Sequence, residues 1–190
     1  SQILAKKLAL RYGAACTIVS LAAQAKPSVS ASGLVNHLTL SEDQFDLLRT
    51  KAITFQDQTN GAPRFLFLDF DTESTPQLNR ALPLLDQWIL YIRPALASLT
   101  ETYRMIKVAS RINPQLEHFL VVEGAERDRT ASRLYEAFSD YVSKRLSVSL
   151  NWLGAFTLPR SLEYAASHLM LDSLVGQTSQ GMSSLEKRAI

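Results

Sequence analysis

Short apolar runs alternate with helix-patterned segments along this chain, and the alternation limits the folds that it can adopt. The clearest apolar run is the Phe-Leu-Phe-Leu-Asp sequence at residues 65–69. Runs of about four to eight such residues are typical of strands buried on both faces. Their spacing fits βαβ crossovers, which predicts an α/β fold with a mostly parallel sheet and helices on both faces. Similar runs lie at residues 15–21, 88–92, 118–122 and 148–156.

Helices are predicted between these runs. Residues 2–12 read as a helix that Gly13 ends, and another helix starts near Pro76, with Pro83 ending or kinking it. Thr130 is expected to cap a long helix. Serine with glutamate or glutamine three residues later forms a capping box that predicts a helix start. Such boxes lie at residues 41–44 and 98–101. The sequence also predicts a helix at residues 161–171, a loop at 26–33 and a turn at 60–63.

Length and composition indicate one globular domain. The chain has 190 residues, of which 46% are apolar and 20% charged, values typical of a folded protein. No internal repeat or linker divides it, so one domain is predicted over residues 1–176, with residues 177–190 as a flexible tail or short helix. The net charge of +2 is too small to imply a nucleic-acid partner.

The single cysteine and the short apolar runs fit a cytoplasmic protein. Cys16 has no partner for an internal disulfide and is predicted to be a buried core residue. No apolar run reaches the roughly 18 residues that span a bilayer. The tail carries Met182, Leu185, Lys187 and Arg188, which leave peripheral contact with the inner membrane as an alternative, although so short a segment binds weakly.

Histidines and basic residues outside the strand ends give few functional signals. His37, His118 and His168 lack the paired spacing of metal ligands, so each is expected to be a surface or partly buried residue. A small basic stripe is expected on one helix, either as a solvated face paired with Glu101 or as a contact for an acidic partner or nucleic acid. It consists of Arg104, Lys107 and Arg111.

The strand at residues 65–69 ends in Asp69, and its carboxyl end is where an open α/β sheet binds ligands. An apolar strand that ends in aspartate is the Walker B pattern, in which the carboxylate helps to hold the Mg²⁺ of a nucleotide. Aspartate is also a common turn former after a strand, so Asp69 alone leaves both interpretations open.

The run at residues 65–69, the Ile-Leu-Tyr-Ile-Arg-Pro sequence at 89–94 and the Ser/Thr-rich helix start at 98–107 belong to one longer pattern. This pattern resembles the MinD/ParA-like ATPases, nearest the FlhG branch, over roughly residues 64–175. The resemblance implies a three-layer P-loop NTPase fold that binds ATP or ADP with Mg²⁺. It places Asp69 at the metal and in catalysis, Thr72 and Glu73 in a switch loop, and Glu123 and Arg160 beside the base. The matching segments are residues 65–82, 89–94, 98–107, 120–122, 134–146 and 150–160.

Four departures separate the chain from this family. No glycine-rich run provides a phosphate-binding loop, so the loop either precedes Ser1 in a longer natural chain or is missing from the protein. The strand at residues 15–21 has no aspartate after it. Glu73 stands near the family's switch glycine, where its charge would repel phosphate. Glu123 replaces the asparagine that reads adenine, although a carboxylate can still accept from an exocyclic amine.

Two functional hypotheses follow. The first is a MinD/FlhG-like regulatory or positioning protein that acts through protein contacts and has a degenerate nucleotide site. The alternative is an active ATP-dependent dimerising switch for flagellar placement, division-site selection or partition. Partner proteins are expected in either case, with a second copy of the chain as one alternative. An unrelated flavodoxin-like or Rossmann domain is a third interpretation, but no glycine fingerprint supports it.

Overall fold

The computed structural model describes residues 2–21, 28–32, 35–40, 64–69 and 75–157, together with Met170, Leu171 and Ser173. The chain divides into two compact units, residues 1–84 and 85–190. One domain over residues 1–176 stays a prediction, and the predicted tail at residues 177–190 lies outside the described residues. So do the predicted helix at 161–169, the capping box at 41–44 and the turn at 60–63.

The first unit contains a four-stranded sheet with the order β2-β3-β1-β4. Strand β1 pairs in parallel with both β3 and β4, and β2 pairs antiparallel with β3. A 3₁₀ turn at Leu82–Leu84 follows the last helix, at the proline that was predicted to end it. The elements are α1 (Gln2–Tyr12), β1 (Ala15–Leu21), β2 (Ser28–Ser32), β3 (Val35–Leu40), β4 (Arg64–Asp69) and α2 (Thr75–Ala81).

Helix α1 packs on this sheet through one apolar face. Leu4 and Leu8 are buried, whereas Leu10 on the other side of the helix is 83% exposed. Gly13 ends the helix at a φ of 63°, a conformation that side chains with a Cβ disfavour. In β1, neighbouring residues point to opposite faces of the sheet, yet Ile18 and Val19 are both buried. Strand β1 is therefore covered on both faces, as its apolar run predicted.

The loop predicted at residues 26–33 is wrong over residues 28–32, which form β2. Serine and proline content predicted the loop, but Val29 and Ala31 fit an extended chain, and the ladder with β3 satisfies backbone groups whatever the side chains are. Strand β3 was not predicted either, because Asn36, His37 and Thr39 interrupt its apolar pattern. Pairing between distant segments outweighed local composition in both strands.

The second unit contains a parallel three-stranded sheet with β6 in the middle. Helices connect the strands as βαβ crossovers, which the sequence predicted. Beyond the sheet edge at β7, the backbone N–H of Met170 donates a 2.7 Å hydrogen bond to the carbonyl oxygen of Leu153. The elements are β5 (Gln87–Ile92), α3 (Leu96–Ile112), β6 (Glu117–Ala125), α4 (Asp128–Leu146) and β7 (Leu150–Thr157).

The core of the second unit lies between this sheet and the two helices. Ile106 of α3 and Val142 of α4 are fully buried and belong to one cluster with Leu120 and Val122 of β6. The opposite face of β6 is also buried, since Phe119 is 0% exposed. Burial of each such side chain contributes about 1.5–3 kcal/mol to the free energy of unfolding. The chain is thus an α/β protein with mainly parallel sheets flanked by helices, which confirms the predicted fold class.

Both predicted helix caps in this unit are wrong by two or more residues. Helix α3 begins at Leu96 after Ala95, and the Ser98 hydroxyl accepts a 3.0 Å hydrogen bond from the backbone N–H of Arg93. Ser98 therefore caps the preceding turn and not the helix. Helix α4 begins at Asp128, so Thr130 lies inside its first turn. The Asp128 carboxylate interacts favourably with the positive end of the helix dipole, which explains the earlier start.

No helix in the described ranges is long and apolar enough to cross a membrane.

We expect the Cys16 thiol to resist labelling by a disulfide reagent at about pH 8, because the side chain is fully buried. Burial raises its pKa from 9.0 to about 11, against a smaller lowering by the backbone of Ala9. Because the pKa is higher in the folded state than in the unfolded state, the thiol does not lower the free energy of unfolding below pH 9. That free energy falls as the pH rises from 9 towards 11, where the unfolded chain loses the proton first. Labelling in native buffer and in urea measures the difference. Equal rates would show that the thiol is accessible.

His118 was expected at the surface or partly buried, but it is 2% exposed, and its Nε2 atom has no hydrogen-bond partner among the described residues. Burial lowers its pKa below 6.5, and a bond to the backbone of Leu116 offsets part of that shift. The unfolded chain therefore takes up a proton first, and the free energy of unfolding falls as the pH drops below 6.5.

We predict that His118→Asn removes part of this pH dependence, because asparagine cannot titrate. Urea unfolding between about pH 5 and pH 8 measures it. His37→Asn is the matched histidine removal in the first unit. Identical slopes in the wild type and His118→Asn would refute the assignment.

Candidate functional site

The predicted site residues fall in both units. Asp69 is the last residue of β4 in the first unit, and Glu123 lies near the end of β6 in the second. Thr72, Glu73 and Arg160 lie outside the described residues. Asp69 and Glu123 therefore both lie at the carboxyl end of a strand in a parallel ladder, which is the ligand-binding edge of an open α/β sheet.

Residues with side-chain oxygens occupy one row at the carboxyl edge of the first sheet. Asp69 pairs in register with Ser20 of β1, and Ser20 pairs with Thr39 of β3. The antiparallel strand β2 extends the row with Ser28, which is opposite Thr39. Asp69 is the only carboxylate in this row of four. Hydroxyls can accept and donate hydrogen bonds, but they are much weaker ligands for Mg²⁺ than carboxylates.

An ion pair lies at the carboxyl edge of the second sheet. The Arg93 guanidinium, just after β5, contacts the Glu123 carboxylate at 3.0 Å between Nε and Oε2. The bond from the Arg93 backbone to the Ser98 hydroxyl holds the turn that presents this guanidinium. The side chains are 69% and 36% exposed, so solvent screens the pair and its net contribution is about 1 kcal/mol or less.

Two aromatic rings lie beside this ion pair. Tyr91 precedes Arg93 by two residues, and Phe156 pairs in register with Glu123. The rings are stacked with centroids 6.2 Å apart and planes 12° from parallel, and Tyr91 is 45% exposed. An exposed ring beside a guanidinium can hold a planar group by stacking and by charge.

The sequence pointed to Glu123 but not to the residue that binds it. Arg93 lies just after the apolar run at residues 88–92, and Tyr91 and Phe156 lie inside predicted strands, so none of the three stands out in the sequence. The available signal was charge at the ends of two apolar runs, Arg93 after one and Glu123 after the next. It becomes informative once β5 and β6 are known to be neighbours in parallel register.

No group of three or more histidine, cysteine, aspartate or glutamate side chains is arranged to hold a metal ion in the part of the chain that the structure describes. The buried Cys16 is a core residue, as predicted, with its Sγ atom 3.8 Å from the carbonyl oxygen of Ala14.

Comparison with known proteins gives a likeness of fold. No family model matches the chain, and no curated protein matches it. Among solved structures, the MinD cell division protein of Aquifex aeolicus is similar, with a TM-score of 0.52 and 8% sequence identity. The match covers 90% of this chain and 78% of that protein. The predicted MinD-like fold is thus confirmed as a fold, whereas the FlhG branch and the site residues stay predictions.

We expect the Arg93–Glu123 pair to couple weakly. In a double-mutant cycle with Arg93→Gln and Glu123→Gln, the coupling free energy should be about 0.2–1 kcal/mol and should shrink in high salt. Urea unfolding at two salt concentrations measures it. The helical pair Lys144–Asp140, at 2.6 Å, is the matched exposed control. A coupling above about 2 kcal/mol would mean that the pair is shielded from solvent.

Proposed function

We propose that this chain is a MinD-like regulatory or positioning protein that acts through contacts with other proteins and has a degenerate nucleotide site. The observation that supports it most directly is the Arg93–Glu123 ion pair. Glu123 stands where the resemblance places the adenine-reading residue. A carboxylate that already binds a guanidinium must give up that partner, or share it, before it can accept a hydrogen bond from a base.

The carboxyl edge of the first sheet supports the same proposal. Mg²⁺ in nucleotide sites is held by one or two carboxylates together with phosphates and water. In the family that the sequence resembles, a second aspartate follows the strand that corresponds to β1. Here Ser20 lies opposite Asp69, and the next residues along the chain are Leu21 and Ala22. A single carboxylate in this row lacks the second anionic ligand of the family's site, which makes a weaker metal–nucleotide site.

An active ATP-dependent switch is the alternative function. The position of Asp69 favours it, because the residue ends a strand that pairs in parallel with β1, as a Walker B aspartate would. In this case the protein binds ATP or ADP with Mg²⁺ and dimerises with a second copy of itself. The processes that the resemblance implies are flagellar placement, division-site selection and partition.

Calorimetry on the full natural chain with ATP and with ADP, each with Mg²⁺, tests the proposal. We expect no binding up to about 1 mM nucleotide, which corresponds to a binding free energy weaker than about −4 kcal/mol. An active MinD-type ATPase is the positive control. Micromolar binding would refute the degenerate site and favour the switch.

A turnover assay separates the two functions further. Under the proposal, phosphate release by the wild type and by Asp69→Ala is equal and at background. Under the alternative, Asp69→Ala abolishes turnover with little change in the unfolding midpoint, because the residue would act on the metal. Glu123→Asn restores the family's base-reading residue. Nucleotide binding that appears only in this variant supports degeneration at the base side.

A further inference from the structure

Two tyrosines meet where α3 and α4 pack side by side. Tyr103 of α3 and Tyr141 of α4 have ring centroids 5.4 Å apart, with planes inclined by 53°. Tyr103 is half-buried, whereas Tyr141 is 49% exposed. The Arg145 guanidinium lies over the Tyr141 ring, 6.0 Å from its centroid. The outer surface of the helix pair therefore presents an aromatic centre with a cation on it.

The ion pairs along these helices leave positive charge around that centre. Glu101 binds Arg104 at 3.9 Å, and Asp140 binds Lys144 at 2.6 Å. Within the described ranges, no ion pair involves the other exposed cations near the tyrosines. Those cations follow the rings at four-residue intervals, the spacing that places helical residues on one face. They are Lys107 and Arg111 on α3 and Arg145 on α4.

We propose that this surface binds an acidic segment of a partner protein. It is called the α3–α4 patch and consists of Tyr103, Lys107, Arg111, Tyr141 and Arg145. The inference rests on the proposed function in protein contacts and names a surface for it. Three uncompensated cations attract carboxylates and speed their encounter. Tyrosine and arginine are also the residue types that contribute most often to binding energy at protein interfaces.

Features around the patch favour a peptide over nucleic acid. The ion pairs Glu101–Arg104 and Asp140–Lys144 already neutralise two nearby cations. The remaining positive charge of the patch is confined to three side chains and does not form the continuous track that a phosphate backbone follows. A peptide can place its carboxylates against the cations alone and its apolar side chains on the rings. Val108 of α3 is 44% exposed and lies three residues before Arg111, on the same side of the helix, which adds apolar contact area.

Fluorescence anisotropy with the full chain tests the patch. The probe is a labelled peptide of about a dozen alternating glutamates and leucines, and the reference peptide has glutamine for glutamate. We expect the acidic peptide alone to bind, and its affinity to fall with salt. The triple variant Lys107→Glu, Arg111→Glu, Arg145→Glu should weaken binding roughly tenfold or more.

A second triple variant controls for net charge. Arg127→Glu, Arg129→Glu, Arg133→Glu makes the same charge change on exposed residues around the start of α4. The nearest of these positions, Arg133, is eight residues from Tyr141 and twelve from Arg145, about 12 Å and 18 Å along the helix. Binding should stay within about twofold of the wild type, since Coulomb interactions at those distances are screened. Tyr141→Ala keeps every charge and should still weaken binding several-fold.

Four outcomes would overturn the patch: no binding of the acidic peptide, equal loss in both triple variants, unchanged binding by Tyr141→Ala, or tighter binding of a single-stranded oligonucleotide or of phosphatidylglycerol vesicles. The last assigns the cations to nucleic acid or membrane. Calorimetry with ATP on the same protein separates the two proposals. Nucleotide binding with the peptide result intact refutes only the degenerate site, whereas absence of both refutes the patch.

Discussion

Burial of the central strands on both faces is the constraint on which the rest of this structure depends. Residues 119–122 of β6 are all fully buried, so side chains pointing to either face of the sheet lack contact with water. Helices α3 and α4 are the crossover segments that return over one of these faces, the one that carries Leu120 and Val122. The apolar sides of both helices pack on the sheet, as the burial of Ile106 and Val142 shows. What remains for other molecules is the carboxyl edge of the strands and the outer sides of the helices.

The carboxyl edges show how one fold can serve different chemistry. The chain shares its fold with the MinD cell division protein of Aquifex aeolicus at 8% identity, so most side chains at these edges are free to differ. In the first unit, Ser20 lies opposite Asp69, and the row contains one carboxylate. In the second, Glu123 is held by Arg93. In the second unit, therefore, the predicted base-side carboxylate already has a partner within the protein.

Within the described residues, the outer sides of α3 and α4 carry both paired and unpaired charges. Two acidic residues are matched by the cations Arg104 and Lys144, which is the usual arrangement on a solvated helix. The predicted pairing of the basic stripe with Glu101 therefore holds for Arg104. Lys107 and Arg111 continue the stripe without an ion pair in the described ranges. The contact between Tyr103 and Tyr141 joins the stripe to α4, where Arg145 lies over the Tyr141 ring. Contact between two helices thus converts a one-helix stripe into a surface.

Elements with local signals can be predicted from the order of the residues alone. Continuous apolar runs predicted β1, β4 and β5 almost to the residue, and helical periodicity with Gly13 predicted α1. The sequence also placed Asp69 and Glu123 at strand ends. Three features depend on distant partners and required the folded structure: the ladder that makes β2 a strand, the burial of His118, and the Arg93–Glu123 pair. The physical reason is that register and burial arise from pairing between segments far apart in the chain, and no local pattern of residues encodes which segments become neighbours.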